Sequence, residues 1–284
     1  MACWASSFPR VTPRFRISAA AHVRLFSEVF NGGVPLPPGG ITIHMRRLAV
    51  SEFQDSLTAA DAPIDHFARG DTDAMTHEQK KGALLFFSKV NCYSCHQVGG
   101  SANEMFSDFK PHRIGVPQVF PGFGVCAPGT TSCGTTIFDG PGENEDFGFE
   151  QTEDNPAMRY MFRTAPLRNL KVAVGFGHNG AFNTIGDVIR HHLDVVSSLT
   201  TYDPGANDLP PDLHVGPYQG ILDAGLDPLV AQPTRLNKEE FENLVDFVEN
   251  GLLDPKVLDF CERVPASVPS GDSIQPFEGC RPRG

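Results

Sequence analysis

The sequence predicts a mainly α protein whose helices are joined by long loops. Three observations carry that expectation. Apolar residues recur at three-to-four spacing in several segments, as they do on the buried face of a helix. Two of those segments open with residues that can form a capping box. Gly (28) and Pro (24) are both above average among the 284 residues, which marks loop-rich connections.

Residues 18–31 read as a first helix, with Val23, Phe26 and Phe30 on its buried face. The loop "NGGVPLPPGG" separates it from a second helix over 40–58, where Ile41, Met45 and Leu48 share a face. The Gly/Asp-rich joint "FARGDTDAM" is a candidate domain boundary. "THEQKKGALLFFSKV", residues 76–90, follows as a capped helix: Thr76 and Gln79 form the box, and Leu84, Leu85 and Phe87 supply the apolar side. Residues 97–157 read mostly as loop, and "AMRYMFRTAPLRNLKVAVGFGHNGAF" as extended segments and turns. Residues 184–199 read as a helix, followed by a long Pro/Gly loop. The last helix is "NKEEFENLVDFVENGLL", capped by Asn237 and Glu240 and buried through Phe241, Leu244, Val245 and Val248. No internal repeat is visible.

Hydrophobic residues make up 40% and charged residues 20%, an ordinary globular balance in a chain long enough to bury a sizeable core. The formal net charge of −11 argues against a nucleic-acid surface. No apolar run approaches membrane-spanning length. The N-terminus is basic and rich in small residues, but it lacks the continuous apolar centre of a secretory signal.

Seven cysteines are present. Cys126 and Cys133 bracket "APGTTS", and Cys261 and Cys280 bracket a tail with little helical or strand character. Loops poor in apolar contacts are where a disulfide contributes most, so two bridges and an oxidising compartment are expected; four free thiols are the alternative.

The most informative stretch is "KVNCYSCHQVGG", residues 89–100. Cys92, Cys95 and His96 admit three chemistries: a zinc half-site, a dithiol redox pair, or covalent haem. Zinc needs about four ligands, and Cys126–Cys133 is too widely spaced to be the second half of a knuckle. Redox pairs sit in a strand–helix setting, whereas this motif ends a helix. The remaining reading is C-x-x-C-H, the c-type haem attachment signature. Its spacing has a chemical reason. One helical turn separates two sulfurs that form thioethers to the porphyrin arms, and the adjacent His96 lies under the iron. One covalent haem c is therefore expected in a cytochrome c-like domain, attached outside the cytoplasm.

The other axial position is less determined. Methionine is the usual partner in electron-transfer cytochromes c. The six methionines all lie at or before position 161, so a sixth ligand from the C-terminal half is not methionine. His178, His191 and His192 are candidates, and His214 lies in a Pro/Gly loop. Neighbouring helix positions point about 100° apart. One of His191 and His192 can thus face a buried haem while the other faces solvent or a propionate.

Several phrases resemble the C-terminal half of bacterial di-haem cytochrome c peroxidases and their MauG-like relatives. These are "SEFQDSLTAADAPIDHFARGD", "GALLFFSKVNCYSCH", "FSDFKPHRIGVPQ", "FRTAPLRNLKVAVGFGHNGAFNTIGDVIRHHL" and "LNKEEFENLVDFVENGL". The likeness covers residues 20–255. It implies helical cytochrome c-like domains, a C-terminal haem that receives electrons, and an N-terminal haem where peroxide reacts. It places the sixth ligand on the helix after the His178-Asn179-Gly180 turn, where the count falls on His192, with His191 the alternative. It implies calcium held by the backbone carbonyls of Thr164 and Pro166. Arg168 can pair with a haem propionate by charge-assisted hydrogen bonds, with a surface salt bridge as the alternative.

The resemblance divides the chain into 1–17, unstructured or miscalled; 18–71, a remnant of the N-terminal haem domain with its linker; 72–258, the haem domain; and 259–284, a tail closed by a disulfide. Only one C-x-x-C-H is present, so the peroxidatic haem is missing and no catalytic residue is assigned. Either the gene product is truncated or the chain is a one-haem descendant. The implied function is the electron-receiving half of a periplasmic peroxidase, with a small redox donor (a cytochrome c or a cupredoxin) as partner and a homodimer as its assembly. The alternative is a stand-alone mono-haem electron carrier.

Overall fold

A computed structural model describes residues 20–57, 59–100, 104–121, 145–211, 213–259 and 268. Cys3, Cys126, Cys133, Cys261 and Cys280 lie outside them, and so does the expected disulfide pairing. The described residues fall into two compact units, divided after residue 58 and again after Leu258. No described helix is long and apolar enough to cross a membrane.

The first unit holds α1 (Ala20–Asn31) and α2 (Ile43–Ser56). Along α1 the Phe26 and Phe30 rings stack at 5.5 Å, as their spacing predicts. The α2 start is fixed by Thr42, whose hydroxyl accepts the Met45 N–H at 3.2 Å. Leu48, expected on the same face as Met45, is 40% exposed.

The second unit runs from Ala59 to Leu258. Its helices are α3 (Pro63–Ala68), α4 (His77–Phe87), α5 (Phe149–Glu153), α6 (Ile185–Leu193), α7 (Val195–Thr200), α8 (Gln219–Asp223) and α9 (Lys238–Asp246). Among the described residues, four short strands pair antiparallel in twos: β1 (Pro111–His112) with β3 (Phe162–Arg163), and β2 (Val119–Pro121) with β4 (Leu213–Val215). This unit includes residues 59–71, which precede the expected start of the haem domain. The segment before the Gly/Asp-rich joint is tied in by the Ala59 carbonyl, which accepts from Asn169 at 2.9 Å, and by the Asp61 N–H, which donates to Asp254 at 3.1 Å.

Both sequence-predicted capping boxes form. Thr76 accepts the Gln79 N–H while its own N–H reaches Gln79 Oε1, each at 3.1 Å. Asn237 and Glu240 do the same at 2.9 Å. The buried stripe of α4 differs from the expected one. Gln79, Gly82 and Phe86 face inward, whereas Leu84 is 68% and Phe87 36% exposed. The reason is the approach of α9. A Cβ on Gly82 would collide with the Asn243 carbonyl and lie 2.7 Å from Phe247 Cβ, so only glycine lets the helices close. Phe86, Phe106, Leu244, Phe247 and Leu252 fill the core beside that contact. After α9 the chain continues as a π-helical turn, Phe247–Gly251.

The single helix expected over 184–199 is two. Asp194 leaves the helical backbone (φ −154°, ψ 78°), ends α6, and caps α7 by accepting the Ser197 N–H at 3.2 Å.

Candidate functional site: a cavity between two histidines

The Cys92–Ser94 segment is a separate 3-10 turn rather than the end of α4. Asn91, left-handed at φ 58°, breaks the chain between them and is bonded by the Ser94 hydroxyl at 2.8 Å. The Cys92 carbonyl accepts the Cys95 N–H at 3.3 Å and the His96 N–H at 2.9 Å, so one turn separates the sulfurs.

Cys92, Cys95 and His96 open onto a cavity of about 350 Å³, within the range of small-molecule and cofactor sites. Its walls are apolar, with Phe86, Ile114, Phe176, Ile185, Leu244 and Val248 among them. His192 lines the same cavity from α6. His96 Nδ1 lies 2.9 Å from the Phe106 carbonyl, and His192 Nδ1 lies 2.7 Å from that of Val188. A carbonyl only accepts, so each Nδ1 carries the hydrogen and each Nε2 keeps its lone pair. Metal-ligating histidines are held in this way. Burial pushes His96 down to about 4, and the nearness of His192 lowers it further. Burial also lowers His192. Both rings are neutral at pH 7, as metal ligands must be.

The cysteines are free thiols held in the protonated form. Burial pushes Cys92 up to about 12; burial, then the Asp227 and Asp108 charges, push Cys95 up to about 11. A dithiol redox pair needs the opposite shift. Zinc would need about four ligands, and among the described residues no group of three or more His, Cys, Asp or Glu side chains gathers to hold a metal ion. A flat, largely apolar group anchored at two adjacent sulfurs and ligated by imidazole fits the lining best.

His191 does not line the cavity. It is fully buried, with Nε2 2.8 Å from the Ile114 carbonyl and Nδ1 3.0 Å from the Ser198 hydroxyl. It faces neither solvent nor the cavity, a correction to the expectation from helical spacing. Burial, then His192, push its pKa down to about 3. His178 also lines the cavity, its ring stacked on Phe162 at 3.6 Å and its pKa lowered by burial to about 4. The turn that carries it is pinned by Asn179, which donates to the Pro117 carbonyl at 2.8 Å. His214 pairs through its backbone with Phe120 in the β2–β4 ladder.

Arg168 is placed elsewhere. Its guanidinium makes a bidentate pair with Asp65 at 2.7 and 2.8 Å, and its Nε donates to the Glu104 carbonyl. Three of its five N–H groups are used in this way, and Arg168 is not among the residues that line the cavity. Arg163 is the arginine on the cavity lining. The Thr164 carbonyl accepts the Ser107 hydroxyl at 2.7 Å, so the oxygen offered to calcium has a protein donor. Pro166 lies on the same segment.

Sequence reasoning missed His112. It lines the cavity between Asp108 (3.0 Å) and Asp227 (2.7 Å), with Cys95 Sγ 3.8 Å from its Nδ1. Asp227 is 115 residues away, and no local pattern announces the cluster.

No protein-family model matches the chain. Curated relatives do. A cytochrome-c peroxidase, IdrP2, from Pseudomonas sp. strain SCT is 33% identical over 150 residues, covering 51% of this chain and 39% of the relative. The methylamine utilization protein MauG of Methylorubrum extorquens is 27% identical, covering 60% and 38%. Cytochrome c551 peroxidase of Pseudomonas aeruginosa is 24% identical, covering 63% and 45%. The chain thus spans about two fifths of the length of the relatives it matches. Among solved structures, a MauG-like protein associated with microbial copper homeostasis superposes with a TM-score of 0.51 at 19% identity, covering 78% of this chain and 60% of that one. That likeness shows a shared, mainly helical cytochrome c-like fold. In sequence the chain is thus similar to cytochrome c peroxidases and MauG, and in fold to a MauG-like protein.

Proposed function

We propose that the Ala59–Leu258 unit binds one haem c through thioethers to Cys92 and Cys95, with His96 and His192 as its axial ligands. The carrying observation is that both imidazoles line one apolar cavity with Nδ1 committed to a carbonyl. Bound there, the iron would supply reversible one-electron chemistry. His96 and His192 would both hold the iron, which would leave no open position for peroxide. The apolar walls exclude water, and Arg163 and His178 offer polar contacts. This favours electron transfer over oxygen–oxygen cleavage at this site.

On this reading the chain is the electron-receiving half of a periplasmic peroxide-reducing system. A small redox protein, a cytochrome c or a cupredoxin, delivers the electrons. Reduction of peroxide belongs to a second haem centre.

The test is to express the chain in a host competent in cytochrome maturation and record its absorption spectrum. Six-coordinate, low-spin haem that resists extraction is expected, and His192→Ala should convert it to a high-spin or ligand-exchangeable form. A spectrum unchanged by His192→Ala refutes the ligand assignment.

A further inference from the structure

His191 uses both ring nitrogens away from the cavity. The Ile114 carbonyl accepts from Nε2–H at 2.8 Å, so Nδ1 is the acceptor for the Ser198 hydroxyl at 3.0 Å. Those two bonds join three pieces of structure. Ile114 belongs to the cavity wall, Ser198 to α7, and His191 to α6. The ring also packs 5.0 Å from Phe182 in the core. The next residue is His192, and the two rings stand 5.8 Å apart at 88°.

A helix can roll about its axis, and a roll of α6 would swing His192 along the cavity wall. The His192 bond to Val188 cannot prevent this, because both residues lie on α6 and turn together. Asp194 ends the helix two residues later, so its C-terminal turn has no continuing helix to brace it. Among the described residues, the hydrogen bonds that reach from this turn to other elements are those of His191 and the Leu193 carbonyl, which accepts the Thr234 N–H at 2.8 Å. Of these, only the His191 bonds run to the wall that carries Ile114.

We propose that His191 is a positioning residue that locks the roll of α6 and so holds the His192 imidazole at the iron. This rests on the assignment of His192 as an axial ligand. It predicts that loss of the clamp speeds release of His192 without changing the ligand set.

The experiment is carbon monoxide binding to the ferrous haem protein, where the entering gas must wait for His192 to leave. In His191→Leu both bonds are lost, and the observed rate should rise roughly ten-fold, equivalent to about 1.4 kcal/mol. His191→Gln can again donate to Ile114 and accept from Ser198, and should restore most of the wild-type rate. Ser198→Ala removes one bond and should give an intermediate rise of about three-fold. It also carries the test if His191→Leu does not fold. Rates within two-fold of wild type in His191→Leu, or in Ser198→Ala where the former is unfolded, overturn the proposal. Equal rates in the Leu and Gln variants overturn it too, since packing alone would then be at work. A wild-type protein that binds carbon monoxide with no wait for a departing ligand instead refutes the assignment of His192 itself.

Discussion

Asp65→Asn should be among the most damaging single substitutions outside the cavity. The Asp65 and Arg168 side chains are only 7% and 5% exposed, and they meet through two hydrogen bonds of 2.7 and 2.8 Å. Asp65 Oδ2 also accepts the Ala62 N–H at 2.8 Å at the start of α3. Burial alone would raise the Asp65 pKa. The Arg168 guanidinium and the Ala62 N–H more than offset it, so the carboxyl sits below its ordinary value. Asparagine keeps the shape, removes the charge, and turns an amide toward the guanidinium. Removing one partner of a buried pair costs about 3–5 kcal/mol, because the other charge stays buried and uncompensated. Against a typical domain stability of about 5–15 kcal/mol, that is a large fraction.

Urea unfolding at pH 7, followed by far-UV circular dichroism, measures the loss. The double variant Asp65→Asn/Arg168→Met closes a mutant cycle. It should recover much of the loss, since no lone charge then remains inside. In the wild type, this carboxylate's contribution is present above pH 3.8 and lost as pH falls through its lowered native pKa. A cost below about 1 kcal/mol for Asp65→Asn, or a coupling near zero, would show that the pair does not hold α3 to the unit.

Gly82→Ala should destabilise by about 1–3 kcal/mol or more, because the added methyl meets the Asn243 carbonyl and Phe247 Cβ; thermal melts of the variant and of an exposed control such as Ser88→Ala would measure it. Acid should weaken the fold through its buried neutral histidines. In the unfolded chain His178 takes a proton near 6.5 but in the native state only at about 4, so stability falls as pH drops through that window. The loss is about 1.4 kcal/mol per pH unit, or about 3 kcal/mol by pH 4. Urea midpoints against pH should show this acid limb, shallower in His178→Gln. His112 acts in the opposite direction. Burial lowers its pKa, but Asp227 and Asp108 raise it above 6.5 overall, so its contribution is full below pH 6.5 and fades as pH rises through the native value.

What was legible in the sequence was local. Thr76–Gln79 and Asn237–Glu240 are three residues apart, and a capping box needs nothing beyond that spacing. The Cys92, Cys95 and His96 signature is equally local. The inward face of α4 was not legible, because Leu84, Leu85, Phe86 and Phe87 are consecutive and together cover the whole circumference of a helix. The choice of Phe86 is made by α9, which closes on Gly82 about 160 residues further on. Distance in sequence likewise hid the partner of Arg168, 103 residues away, and that of His112, 115 residues away. The break at Asp194 was hidden for a different reason. Aspartate tolerates a helix interior poorly and caps well, but Val195, Val196 and Leu199 extend the apolar pattern straight through it.

The chemistry of the cavity follows from where its charges are put. Burial holds Cys92 and Cys95 as thiols and His96, His178 and His192 as neutral imidazoles, so the interior presents lone pairs and apolar walls but no ion. The polar side chains of the lining include Arg163, which is exposed, and His112, which is braced by two carboxylates. A fully charged ligand would meet nothing inside to compensate its desolvation, and a wholly apolar one would leave two Nε2 lone pairs buried without a partner. What satisfies both conditions is an apolar plate with a central electrophile and a charged edge that can reach the polar groups. Haem meets that description, and the two sulfurs one turn apart offer it covalent attachment that a zinc ion or a disulfide partner would not use.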